Sequence, residues 1–453
     1  MRTLILLLFS LSLFGQGATW KNFGPGQRLE TAAKLCQGAN GDIYYLANGD
    51  TNSFPGNKWQ LYKMDALGNI LWKKVYGERG NYFASQIIYH REKLYVVGER
   101  SWNDTDQAWV EILDTSGLSL QKSIFGNGDS TIIGQGIAIN SQEELAILNQ
   151  VRAQPGALQG ASVLILDSML NILHRHNQFD TVDFVAHEIT ALPFGGWVYT
   201  ADYELPTRFD LLVTKINRQA QQVNRTIVSN GYTRGGNAIG INSKHQIAIG
   251  GEGASAFSVS FDITLCLLDT NLNLLADVYV RPGVPKNDAC FDMAISPYDT
   301  YLFTGYQINP ENGHTEMIVV ESDSAGTRLH IDKHASSPTC IGSGIVCDSQ
   351  GNFVAAGSDF NLAPSLILAT GNAKGLSLPI KEVQAQEVYP NPSAGDFMVE
   401  AYNGIPEDWK LFDAAGQEIL MHWEGIKLAF TGPSGIYILQ NQNSGQSYRL
   451  IRP

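Results

Sequence analysis

The sequence has 453 residues, 44% hydrophobic and only 17% charged, with 45 Gly and 17 Pro. That composition builds a sizeable core and excludes disorder, collagen and coiled coil as descriptions of the whole chain. With 31 Lys and Arg against 44 Asp and Glu the formal charge is −13, so the surface lacks the basic footprint that nucleic acid selects, and no nucleic-acid partner is expected.

The chain opens with Met1-Arg2-Thr3, an apolar run from Leu4 to Phe14, and Gly15-Gln16-Gly17-Ala18. A basic start, a short apolar stretch and small residues are the three parts of a secretory signal peptide, here residues 1–17 with cleavage between Gly17 and Ala18. No other apolar run approaches the roughly 20 residues of a spanning helix, so no transmembrane span is expected.

From residue 18 to 375 the sequence repeats. Ile43 to Ala47, Leu94 to Gly98, Leu145 to Asn149, Trp197 to Ala201, Ile247 to Gly251, Tyr301 to Gly305 and Phe353 to Gly357 are alike, and their mostly small last residues are spaced by 51, 51, 52, 50, 54 and 52. A second marker, an apolar run ending in a turn, follows at Asp65, Asp114, Asp167, Asn217, Asp269, Asp323 and Asn372, three of them as Asp-x-x-Gly. Asp first and Gly fourth suit a turn, because the carboxylate accepts local N–H groups and Gly tolerates the exit. These acids are expected to shape turns.

Each unit holds four strand-like runs; in the second they are Phe83 to Tyr89, Lys93 to Gly98, Ala108 to Leu113 and Ser119 to Phe125. Four strands per unit of about 50 residues predict the blades of a β-propeller, seven in number, and a β-helix would need shorter periods. The last unit lacks a fourth strand after Asn372. Thr19-Trp20-Lys21-Asn22-Phe23-Gly24 is similar to Leu71-Trp72-Lys73-Lys74-Val75-Tyr76-Gly77 at the end of the first unit. The N-terminal strand is therefore expected to complete blade seven as a clasp, with Leu376-Ser377-Leu378 as the competing closure. The pattern Gly41-Asp42-Ile43-Tyr44, Asp65-Ala66-Leu67-Gly68, Trp72, Tyr76-Gly77 resembles bacterial propeller repeats of extracellular proteins, which implies fold and not chemistry.

Chemistry is sparse along this stretch. His187-Glu188-Ile189-Thr190-Ala191 starts like a zinc-protease helix but has no second His four residues after the first, and Gly251 to Ala256 imitates a dinucleotide loop without a helix behind it. No P-loop, Gly-x-Ser-x-Gly elbow or calcium loop occurs, so no cofactor and no metal are expected. Asp183, Asp288 and Asp292 stand near the starts of inner strands, where acids from different blades could act as paired carboxylates on a glycan; ordinary turn or surface roles are the alternative. Trp59, Trp102 and Trp109, read as exposed loop aromatics, offer flat faces for sugar rings, with blade packing as the alternative. Five cysteines, Cys36, Cys266, Cys290, Cys340 and Cys347, leave at least one outside any intrachain pairing. Cys340 and Cys347 at the two ends of one strand would lie about 23 Å apart, beyond disulfide reach.

Residues 376–387 read as a polar linker. After it come Val388-Tyr389-Pro390-Asn391-Pro392, Gly395-Asp396-Phe397, Asp413-Ala414-Ala415-Gly416 and Gly435-Ile436-Tyr437, then Tyr448-Arg449-Leu450-Ile451. Alternating runs with frequent turns predict a small β-sandwich over 388–453. In order and spacing these motifs resemble the type A C-terminal sorting domain of the Bacteroidetes type IX secretion system, carried by Tyr389, Pro390, Asn391, Pro392, Gly395, Phe397, Asp413, Gly416, Gly435 and Tyr437.

That resemblance implies passage through the periplasm, partnership with the type IX translocon and sorting machinery, and a destination in the medium or on the outer-membrane surface. Asp129-Ser130-Thr131, Asp167-Ser168-Met169 and Asp180-Thr181-Val182 resemble the O-glycosylation acceptors of the same bacteria. The function expected is a secreted or cell-surface binding module for an extracellular glycan or protein. An extracellular polysaccharide hydrolase or lyase and a structural adhesin or matrix protein are the alternatives. No linear motif demands an enzyme.

Overall fold

In a computed structural model the described residues are 18–23, 30–50, 56–78, 80–102, 105–126, 130–152, 156–255, 258–280, 287–360, 365–373, 388–389, 397–399, 408–413, 417–424, 427–441 and 447–452. Gly17, Asp129, Pro390, Asn391, Pro392, Gly395 and Gly416 lie outside them. The chain divides into two units, 1–376 and 377–453. Among the described residues there is no α-helix, and no helix long and apolar enough to cross a membrane.

The first unit is a β-propeller of four-stranded antiparallel sheets, seven among the described residues. Sheet 2 is typical: Asn81–His90, Lys93–Trp102, Thr105–Asp114 and Ser119–Phe125 pair in sequence order. The innermost strands of sheets 1 to 7 are Glu30–Gln37, Asn81–His90, Thr131–Ile139, Phe184–Ala191, Ala238–Ile241, Asp288–Ile295 and Cys340–Cys347. Each packs against the next, and Cys340–Cys347 packs against Glu30–Gln37. Middle strands are covered on both faces and read as continuous apolar runs: Leu145 to Val151 is buried throughout. Outer strands such as Ile70–Tyr76 are half solvated and alternate. Trp59 and Trp109 show how neighbouring sheets adhere, their rings stacked 5.3 Å apart in the core of sheets 1 and 2.

The turn acids do what their position dictates. Asp65 Oδ1 accepts the N–H of Leu67 (2.9 Å) and of Asn69 (2.8 Å), and Asp114, Asp167, Asn217, Asp269 and Asp323 repeat both bonds. The fourth turn position has positive φ at Gly68, Gly117 and Gly326, but Leu170, Ala220 and Leu272 adopt it too, at 60°, 59° and 66°. Their side chains are buried, and that burial offsets the roughly 1–2 kcal/mol cost of a left-handed L-residue.

Closure uses the N-terminus. Thr19–Phe23 pairs antiparallel with Ser365–Asn372, Thr19 opposite Thr370 and Phe23 opposite Leu366, as the outer strand of sheet 7. Trp20 stacks on His334 of sheet 6 with ring centroids 4.9 Å apart. All five cysteines are free thiols, with Cys340 and Cys347 at opposite ends of one strand.

The second unit holds two four-stranded antiparallel sheets. Phe397, Trp409, Leu411, Tyr437 and Leu439 share its core. Tyr437 Oη donates to Pro433 O (2.7 Å), and Asp413 Oδ1 accepts the Gln417 N–H (2.8 Å) across a turn. Tyr389 lies in a two-residue strand beside Phe397–Val399, and Gly435 begins the strand Gly435–Asn441.

Candidate functional site

An innermost strand is a sheet edge, so half of its backbone groups have no ladder partner, and a bulge there re-aims side chains out of the sheet. Six innermost strands carry such a bulge, at 32/35, 84/86, 134/136, 186/189, 290/292 and 342/344. Residues at or beside five of them, together with Asn237 just before the innermost strand of sheet 5, line one cavity of 150 Å³: Lys34, Gln86, Gln135, His187, Glu188, Asn237 and Phe291.

The cavity is held by a polar network that spans the sheets. Lys34 Nζ lies 2.5 Å from Asp292 Oδ1 and donates to Phe291 O (3.3 Å). Gln86 Nε2 donates to Glu188 Oε1. Gln86 Oε1 accepts the N–H of Ile137 (2.6 Å), Glu188 Oε2 that of Ile239 (3.0 Å) and Asp292 Oδ2 that of Ile345 (2.8 Å). Thus a side chain from sheet 2, 4 or 6 satisfies an edge N–H of the following sheet, as buried backbone donors require. Asn237 Nδ2 adds a bond to Cys290 O (2.7 Å).

Charge is balanced within this cluster. Burial pushes the Glu188 carboxyl up to about 7, Lys34 opposing and Asp292 reinforcing the rise. Burial also works against the Lys34 ammonium, but Asp292 and Glu188 more than offset it and hold Lys34 above its ordinary value. Beside the cavity His187 Nε2 lies 2.9 Å from Asp202 Oδ2. Burial, and then the Asp202 charge, raise Glu252 to about 7. The cavity presents a cation, several amides and the Glu188 carboxyl poised near neutrality to whatever enters, with the half-exposed Phe291 ring as an apolar face.

Of the three acids singled out by sequence, Asp292 belongs to this network. Asp288, four residues earlier, is buried away from the cavity lining, and Asp183 Oδ1 accepts the N–H of Gln159 (2.5 Å). The loop placement of Trp59 and Trp109 is corrected: both lie in strands and are fully buried, and Trp102 is half-buried at a strand end. The zinc-protease look-alike at His187 is strand, as is Gly251 to Ser255. Sequence reasoning missed Lys34, Gln86 and Glu188.

A usable signal was present. Ala47, Gly98, Asn149, Ala201, Gly305 and Gly357, the periodic small residues, each stand opposite the residue just before a bulge. A Cβ at Gly98 or Gly305 would sit 1.9 Å from the carbonyl oxygen of Phe83 or Ala289. The repeat marker is therefore the imprint of the bulges that build the site. A second cavity, of 300 Å³, is lined by Phe125, Ile132, Val151, Arg152, Arg175 and Phe179 among others.

No protein-family model matches the chain, and no curated protein matches it in sequence. Among solved structures it is similar to the phage phi92 endosialidase, at 10% identity and a TM-score of 0.47 over 96% of this chain and 88% of that one. It is also similar to the β-propeller domain of the Trilobed protease from Pyrococcus furiosus, at 11% identity and a TM-score of 0.46 over 82% and 100%. The acylaminoacyl peptidase of Pyrococcus horikoshii matches at 10% identity and a TM-score of 0.42 over 73% of this chain. The match spans about half, 49%, of that peptidase.

Proposed function

We propose that the chain is a secreted, seven-bladed β-propeller recognition module that takes a hydrophilic extracellular ligand at its central cavity. Export would run through the type IX secretion system by way of a β-sandwich sorting domain at 388–453. The observation that carries the binding role is the convergence of Lys34, Gln135, His187, Glu188 and Asn237 with the Phe291 ring on one concave site. Convergent polar groups beside one apolar face are what recognition of a polar ligand needs. The export route rests on the motif from Tyr389 to Tyr437, whose Phe397 and Tyr437 are buried in the second unit.

The test is a titration of the exported protein against a polysaccharide panel with product analysis of every mixture, repeated with Phe291→Ala. Binding without products, weakened in the variant, supports the recognition module. Absence of binding redirects the search to protein partners and an adhesin role. For export, deletion of 388–453 is expected to shift the protein from the cell surface or medium into the periplasm; continued secretion would overturn that route.

One observation favours a second reading, a glycan hydrolase or lyase. Burial, and then the Asp202 charge, raise Glu252 to about 7, and a carboxyl poised near neutrality is what general acid catalysis uses. Cleaved products that vanish in Glu252→Gln would establish it.

A further inference from the structure

Asp288 opens the innermost strand of sheet 6 and stands directly across from Gln307 on the second strand, so both side chains project from the same face. Both are 1% exposed, and neither Asp288 carboxylate oxygen nor Gln307 Oε1 has a hydrogen-bond partner. The strand Ser258–Leu268 of sheet 5 packs against Asp288–Ile295 and carries Asp262, itself buried. Burial, and then the neighbouring Asp262 charge, push the Asp288 carboxyl up to about 8, with Lys333 opposing.

An unsatisfied buried acceptor is costly, and a buried carboxylate without a partner more so. The unpartnered oxygens of Asp288 and Gln307 can only accept, and the group that satisfies them beside a second carboxylate is a hard cation or a proton. We propose that Asp262, Asp288 and Gln307 are oxygen donors to a calcium-type divalent cation held between sheets 5 and 6. Carboxylate and amide oxygens without sulfur or imidazole are calcium chemistry, and a cage of mixed donors from three strands suits the larger, more flexible calcium shell over the near-ideal octahedron that magnesium demands. The site has a consequence for the cavity: the strand that would hold the cation at Asp288 presents Phe291 and Asp292 to the central network. Calcium would then pin the strand on which two members of that network stand.

The test is calorimetric titration of the chelator-stripped full chain with calcium chloride, and with magnesium chloride for comparison, alongside thermal unfolding. Expected are saturable calcium binding tighter than magnesium and a rise in Tm of about 3 °C or more at a hundredfold excess over Kd. Asp288→Asn keeps the shape and can donate to Gln307 Oε1, so it stays folded while calcium affinity falls about tenfold or more. Gln307→Leu is the second variant, and it also weakens binding. Absence of calcium binding in the parent protein, or unchanged affinity in folded Asp288→Asn, overturns the proposal and assigns the pair a shared proton.

Discussion

Lys34 Nζ lies 2.5 Å from Asp292 Oδ1, joining the innermost strands of sheets 1 and 6. Asp292 in turn accepts the Ile345 N–H of sheet 7 (2.8 Å), so one ion pair ties three sheets where the ring closes.

Removing only the cation from this pair strands a carboxylate whose side chain is 9% exposed. Lys34→Met is expected to cost about 2 kcal/mol. Lys34→Met with Asp292→Asn should cost less than the single change, because the amide oxygen still accepts the Ile345 N–H. Urea unfolding of both variants checks this; equal losses would show that the charge pair is not the source.

Stability should fall as pH rises from about 5 to 8. Glu188 and Glu252 sit near 7 in the fold but near the ordinary 4.3 when unfolded, so in that window the folded state binds more protons. Each lowers stability by about 1 kcal/mol per pH unit between its unfolded and folded values. Glu188→Gln is expected to flatten this slope while losing one of the two bonds from Gln86 and Ile239. Unfolding free energies at pH 5.5 and 8 are the measurement, and an unchanged slope in the variant would refute the assignment.

Gly305→Ala places a methyl 1.9 Å from the Ala289 carbonyl oxygen, an overlap only backbone movement relieves. About 3 kcal/mol of destabilisation is expected. A loss below about 0.5 kcal/mol would mean that the bulge before Asp292 is not held by this close approach.

The clasp is open to the same kind of test. Trp20→Ala removes the stack on His334 and should cost about 2 kcal/mol. Deleting residues 18–23 exposes the edge of Ser365–Asn372, and hydrogen exchange should show lost protection at Leu366, Leu368 and Thr370. Retained protection would mean that another segment takes the place of Thr19–Phe23.

The sequence by itself determined the period of about 52 residues, the turns at Asp65 and its equivalents, and the clasp at Trp20. These are local or repeated: a turn acid bonds N–H groups two and four residues ahead, and a missing strand shows as a gap in a period. Only the tertiary structure decided the site. Lys34 and Phe291 are 257 positions apart, and Gln86, Glu188 and Asp292 fall in three different repeats, whose shared marker records the bulge but not the contacts its side chain makes. They meet because closing the ring brings every innermost edge to one axis, where each unpaired N–H needs an acceptor that its own repeat does not contain.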